Sequence, residues 1–160
     1  MREFRRSLPM ALLKAREAVM STFIPHLRAH DLSPQQWRVL RALYQSAQTS
    51  DGELEMTALA DSCALLMPSL SRIVQNLEQR ELIRRRTSET DQRCSIIGIT
   101  KTGTDLVELM APQSEARYEH ITDVFGYGKL ELLYELLEEL TVKLSDPKEP
   151  DETKPSATHD

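Results

Sequence analysis

The chain has 160 residues, with 20 Lys/Arg against 25 Asp/Glu and a formal charge of −5. That length fits one compact domain, or one small domain plus an assembly element, and the 40% hydrophobic and 28% charged residues are ordinary for a soluble globular protein. No apolar run approaches the roughly 20 residues that span a bilayer, and the basic start at Met1 leads into no cleavable hydrophobic stretch, because Lys14, Arg16 and Glu17 interrupt it. Cys63 and Cys94 are too few for a disulfide framework. The expectation is a cytoplasmic protein without a cofactor.

In chain order, residues 7–28 carry Leu8, Leu12, Ala15, Val19, Phe23 and Leu27 at steps of three and four, one stripe of a helix. Pro9 suits its first turn, and Pro25 predicts a kink near its far end. Ser33-Pro34-Gln35-Gln36 has the form of a capping box opening a second helix, with Trp37, Leu40 and Leu43 on its apolar face, ending near Ala47. Residues 48–52 read as a loop. Met56 to Ala64 is a short helix with Leu59 and Ala60 inward. Pro68 opens another, with Leu70, Ile73, Val74 and Leu77 inward and Ser69, Ser71, Arg72, Gln75, Asn76 and Gln79 outward. Two short helices with a polar second one form a helix-turn-helix pattern.

Leu82–Arg86 and Ser95–Ile99 read as antiparallel strands of a β-hairpin with a polar tip at 87–93. Period-2 alternation places Arg84 and Arg86 on one face and Arg85 on the other. A helix follows from Lys101 to about Phe125, with a bend at Pro112, and Gly126-Tyr127-Gly128 reads as a break. In the last helix Leu130, Leu133, Leu137, Leu140 and Leu144 form a coiled-coil-like seam, flanked by Leu132 and Leu136. Residues 146–160 hold three prolines within an acidic tail and are expected to be disordered.

Charge is unevenly spread. From Met67 to Lys101 seven basic residues face four acidic ones, a local +3, while Thr102 to Leu144 has three against nine, a local −6. Because salt screens charge over about 8–10 Å, a basic stripe can attract phosphate inside an acidic protein.

The fold class predicted is mainly α with a small β-hairpin: a winged helix-turn-helix over 33–100 and a helical dimerisation lobe from 1–32 and 101–145. Here the chain resembles the MarR family of bacterial transcription regulators. The match rests on Asp91-Gln92-Arg93 followed by Ile99-Thr100-Lys101-Thr102-Gly103, with Pro68-Ser69-Leu70-Ser71-Arg72 and Glu81-Leu82-Ile83-Arg84-Arg85 in register. One departure is Met67, where the family often has a Ser or Thr cap. Ser7–Met10, Ala15–Met20 and Gln36–Leu43 resemble a branch that represses aromatic-acid degradation.

That resemblance implies a homodimer on palindromic double-stranded DNA. Ser69, Ser71, Arg72 and Gln75 would lie in the major groove and Arg93 in the minor groove, with Asp91 holding the hairpin tip in shape; Arg84 and Arg86 are further DNA-binding candidates, or a solvated strand edge. The resemblance also implies a small aromatic carboxylic acid as effector, such as 4-hydroxyphenylacetate or homoprotocatechuate. Arg16 and Arg41 could clamp the carboxylate, Trp37 could stack on the ring, and His26 could bond a phenolic hydroxyl. Rival readings are a thiol switch at Cys94 or Cys63, a metal site at His26 and His30, and a helical scaffold that binds no DNA. No phosphate loop, nucleophile elbow or H-E-x-x-H motif is present, so no enzyme is expected.

Overall fold

A computed structural model describes residues 4, 7–49 and 52–145. The predicted acidic tail at 146–160 and the middle of the loop at 48–52 lie outside the described residues. The elements are α1 (Leu8–Arg28), α2 (Pro34–Thr49), β1 (Glu53–Glu55), α3 (Met56–Ser62), α4 (Met67–Gln79), β2 (Ile83–Thr87), β3 (Ser95–Ile99), α5 (Lys101–Phe125) and α6 (Tyr127–Ser145). They fall into two compact units, Met1–Glu119 and His120–Asp160.

In the first unit, side chains from α2, α3, α4 and the sheet form the core. Leu40, Leu43, Leu59, Leu70, Val74, Leu77 and Ile97 are all fully buried. The capping box that opens α2 is reciprocal: Ser33 N–H donates to Gln36 Oε1 at 2.8 Å, and Gln36 N–H donates to Ser33 Oγ at 3.2 Å. By contrast α4 begins without a side-chain cap, with Leu66 at the cap position and Pro68 in the first turn.

Three helices of this unit close in the same way. Asp31, Ala64 and Glu81 take positive φ (54°, 47° and 57°). The leucine after each then donates its N–H back five residues, Leu32 to Leu27, Leu65 to Ala60 and Leu82 to Leu77. This is the Schellman arrangement, and it turns the chain sharply while satisfying late helix carbonyls. Apolar leucines after the turn, of which Leu32 and Leu82 are buried, hold the left-handed residues without glycine.

The hairpin belongs to a three-stranded antiparallel sheet in the order β1-β3-β2, with β3 at the centre. The sequence reading had only two strands, because Glu53-Leu54-Glu55 is too short and too charged to show alternation. Its pairing places Leu54 opposite Ile97 and Glu53 opposite Gly98.

Two further expectations are revised. The α1 stripe is buried only at its C-terminal end, at Phe23 and Leu27; Leu8, Leu12 and Val19 are exposed. The break after α5 is confined to Gly126 (φ 96°), and Gly128 lies inside the first turn of α6. In the second unit no residue of α6 is buried. Leu132, Leu133, Leu136 and Leu144 are exposed, while Leu130, Leu137 and Leu140 are half-buried.

The Thr-x-x-Gly stretch has a physical cause. Thr100 Oγ1 donates to Glu81 C=O at 2.7 Å and accepts from Gly103 N–H at 3.1 Å, so one hydroxyl caps α5 and ties it to the end of α4. A Cβ on Gly103 would stand 2.1 Å from Leu82 O, which is backbone and cannot yield. Gly103→Ala is therefore expected to destabilise the protein by about 1–3 kcal/mol, through overpacking. Chemical denaturation would measure it, and an unchanged midpoint would refute the close approach.

Candidate nucleic-acid interface and ligand cavity

The α4 helix presents Ser69, Ser71, Arg72, Gln75, Asn76 and Gln79 to solvent while Leu70, Val74 and Leu77 anchor it. Those anchors follow the helical period, so the polar face is fixed as a rigid surface. The hairpin tip is stitched from within. Buried Ser88 Oγ lies 3.3 Å from Thr90 N and 3.4 Å from Asp91 N, accepting from both. Asp91 Oδ1 accepts from Arg93 N–H at 2.9 Å, and Cys94 N–H donates to Asp91 C=O at 2.9 Å. Asp91 thus folds the tip through hairpin N–H groups, and the exposed Arg93 side chain projects from a tied turn. The role of Ser88 went unread, although a Ser two or three residues before Thr and Asp in a turn is its usual signal.

The wing arginines differ in how far their charge is already met. Arg84 and Arg86 share a face and converge on Glu53, at 3.2 and 2.6 Å. Arg86 grips it with both Nε and Nη2. Nothing stands between them, because Gly98 is the residue of β3 that lies across from both Glu53 and Arg84. Arg85, on the opposite face, pairs with Glu78 of α4 at 3.3 Å. Arg80 donates to the carbonyls of Asp31 and His30, and Lys101 pairs with Asp105. Among the described residues, Arg72 and Arg93 are the two cations from 67 to 101 whose side chains meet no acid or carbonyl.

Hydrogen bonding from Arg86 outweighs burial and holds the Glu53 carboxyl below the usual carboxylate range, with Arg84 adding to the effect. Folded Glu53 therefore binds a proton less readily than unfolded Glu53. The clasp stabilises the fold above the ordinary carboxylate range and loses its contribution as pH falls through the lowered value. Glu53→Gln is expected to melt earlier than the parent at pH 7, with the two melting temperatures converging in acid. A constant gap at every pH would contradict this linkage.

A cavity of about 350 Å³ opens between α1, α2 and α5. Val19, Met20 and Phe23 form one wall, Trp37, Arg38, Arg41 and Gln45 another, and Tyr118 closes it. The size lies within the usual range for small-molecule sites. Arg41 Nη1 donates to Tyr118 Oη at 3.3 Å, and the Tyr118 ring packs on Phe23 with centroids 5.1 Å apart. Trp37 and Arg41 both line this cavity, and Tyr118 joins Arg41 from 77 residues away, which sequence spacing could not reveal. Arg16 and His26 do not line this cavity. Arg16 is exposed beside Glu17 at 2.6 Å. His26 is buried, its Nε2 meets no hydrogen-bond partner among the described residues, and burial together with the Arg117 charge pushes its pKa down.

The rival chemistries find little support. Burial pushes the Cys63 thiol up; partial burial and the carboxylates of Asp91 and Glu55 push up Cys94, so both are poor thiolates. The rings of His26 and His30 meet edge-on at 5.3 Å. Among the described residues no group of three or more His, Cys, Asp or Glu could hold a metal, and no helix is long and apolar enough to cross a membrane.

A helix-turn-helix with a polar second helix, an arginine-tipped wing beside it and a cavity behind define a winged-helix DNA-binding regulator. The MarR family model matches residues 30–93. The HTH-type transcriptional regulator FarR of Neisseria gonorrhoeae is 36% identical over 140 residues, covering 88% of this chain and 92% of FarR. The homoprotocatechuate degradative operon repressor of Escherichia coli is 38% identical over 133 residues, covering 83% and 86%. Among solved structures, NadR in complex with 4-hydroxyphenylacetate is 34% identical with a TM-score of 0.74, covering 88% of this chain and 96% of NadR. The chain belongs to the MarR family of transcription regulators.

Proposed function

We propose that this protein is a homodimeric repressor of an aromatic-acid catabolic operon, released from its operator by a phenolic acid such as 4-hydroxyphenylacetate or homoprotocatechuate. The observation that carries the reading is the cavity in which Trp37, Arg41 and Tyr118 converge, in a chain 34% identical to a regulator solved with 4-hydroxyphenylacetate. A guanidinium pairs with a carboxylate in a two-pronged bond, and the indole and phenol rings suit an aromatic body with a hydroxyl. Arg41 is exposed and, among the described residues, donates to the neutral phenol of Tyr118, so its charge is available to an anion. Effector contacts are assigned to these three residues, with Arg16 and His26 outside the lining.

Residues 33–100 form the DNA-binding domain of the proposal, and 1–32 with 101–145 the dimerisation lobe. Exposed leucines on α1 and on α6 support the second assignment, since apolar stripes at helical spacing are usually covered. Two recognition helices related by a dyad fit half-sites one DNA turn apart, roughly 34 Å. Ser69, Ser71, Arg72 and Gln75 read the major groove and Arg93 the minor groove, while Arg84 and Arg86, already met by Glu53, brace the wing and Asp91 shapes the tip. The protein works in the cytoplasm and catalyses nothing.

Release requires that the effector bind the DNA-competent arrangement less well than the alternative. The α2 helix is the element through which cavity and reader touch. Arg38, in the cavity wall, donates to Cys63 C=O at the end of α3 at 2.6 Å, and Gln36 bonds Asn76 of α4 at 2.7 Å. Titrating 4-hydroxyphenylacetate or homoprotocatechuate into the protein–promoter complex is expected to free the DNA. Arg41→Gln should keep promoter affinity and need at least about tenfold more effector, the loss of one charge-assisted bond. Indifference of the parent complex to both acids would refute the effector assignment.

A further inference from the structure

The DNA-facing unit has one apolar anomaly. Among the described residues of the proposed DNA-binding domain, 33–100, the exposed large hydrophobic side chains are Leu66, at 79%, and Met67, at 42%. They are adjacent, and they stand at the very start of α4, where the helix lacks a side-chain cap. A Ser, Thr, Asp or Asn there would satisfy a free helix N–H, so the leucine forgoes a stabilising bond at this position. Scattered exposed leucines are ordinary, but an adjacent pair confined to the leading edge of a polar reading helix is a local feature.

Its neighbours indicate the occupant. Met67 lines a cleft of about 260 Å³ with Thr57, Ser71, Arg85, Arg93 and Cys94, between the start of α4 and the wing. Met67 therefore lies beside Ser71 and Arg93, two of the side chains assigned to DNA, and Leu66 adjoins it in the chain. In a major-groove reader the first residues of the second helix meet base edges. Of the four standard bases, thymine alone presents a methyl group on that edge, and apolar side chains recognise it.

We propose that Leu66 and Met67 are specificity-determining residues that read thymine, packing against its 5-methyl group at the entry of the recognition helix. The assignment rests on the DNA-binding reading above. It divides the work of α4: Arg72 and Gln75 supply hydrogen bonds to base edges, and the apolar pair distinguishes thymine by shape. It also accounts for a leucine where a capping side chain would serve the helix better.

The test replaces the thymines of the operator half-sites with deoxyuridine, which keeps every hydrogen-bonding edge and charge and removes only the methyl. Binding of the parent and of Leu66→Ser/Met67→Ser is measured on both duplexes at several salt concentrations. The parent is expected to bind the deoxyuridine operator about two- to fourfold more weakly per contacted thymine, the scale of burying one methyl, with an unchanged salt slope. The doubly substituted protein should bind both duplexes alike. Both side chains are exposed, so the variant should fold, and thermal melting checks this. Equal parent affinity for the two duplexes would overturn the proposal, as would a penalty of the same size in the variant, which would trace the effect to duplex shape. Failure of the parent to bind either duplex at any salt would overturn the DNA-binding reading along with it.

Discussion

A guanidinium whose charge is already met by a carboxylate has less to offer a phosphate, and this constraint organises the reading surface. The stretch from Met67 to Lys101 looks uniformly basic in sequence, yet Glu53, Glu78 and Asp105 meet four of its cations and backbone carbonyls hold a fifth. Arg72 and Arg93 remain, one on the recognition helix and one at a tied hairpin tip. The two are also the best placed to carry information. An arginine in the major groove can pair with guanine in two bonds, and one in a narrow minor groove senses the concentrated negative potential there. The paired arginines join strands of the sheet to one another and to α4, so the same residue type serves structure in one place and, in the function proposed, recognition in another.

Much of this was legible in the sequence, and the parts that were not share a cause. The capping box at Ser33, the inward and outward faces of α4, the common face of Arg84 and Arg86 and the tip-folding part of Asp91 follow from local rules and are seen in the structure. What escaped depends on contacts far apart in the chain. Glu53 meets Arg84 and Arg86 across more than thirty residues, and Tyr118 meets Arg41 across 77. Periodicity found the apolar stripe of α1 and the seam of α6. It cannot say whether such a stripe is covered by the same chain or by another, and in the isolated chain much of both is exposed. The short strand β1 escaped for a further reason: three residues, two of them glutamates, carry too little pattern to be read.

The cavity and the reader are linked through α2. One side of that helix supplies Trp37, Arg38 and Arg41 to the cavity, and its ends and buried face bond or pack against α3, α4 and the sheet. A regulator needs such an element, because an occupant acts on DNA only through groups whose position differs between two arrangements. The Thr100 hydroxyl and the close approach of Gly103 to Leu82 do comparable work at the junction of α4, β2 and α5, where a single added carbon would force strands and helices apart.

The most direct measurement is promoter affinity as a function of salt for the parent and for Arg72→Gln, Arg93→Gln and Arg85→Gln. The account expects a steep log–log decline for the parent, binding at least about tenfold weaker for each of the first two variants as a groove contact is lost, and a smaller change for Arg85→Gln, whose charge Glu78 already meets. Parent-like affinity at every salt for both Arg72→Gln and Arg93→Gln would contradict it.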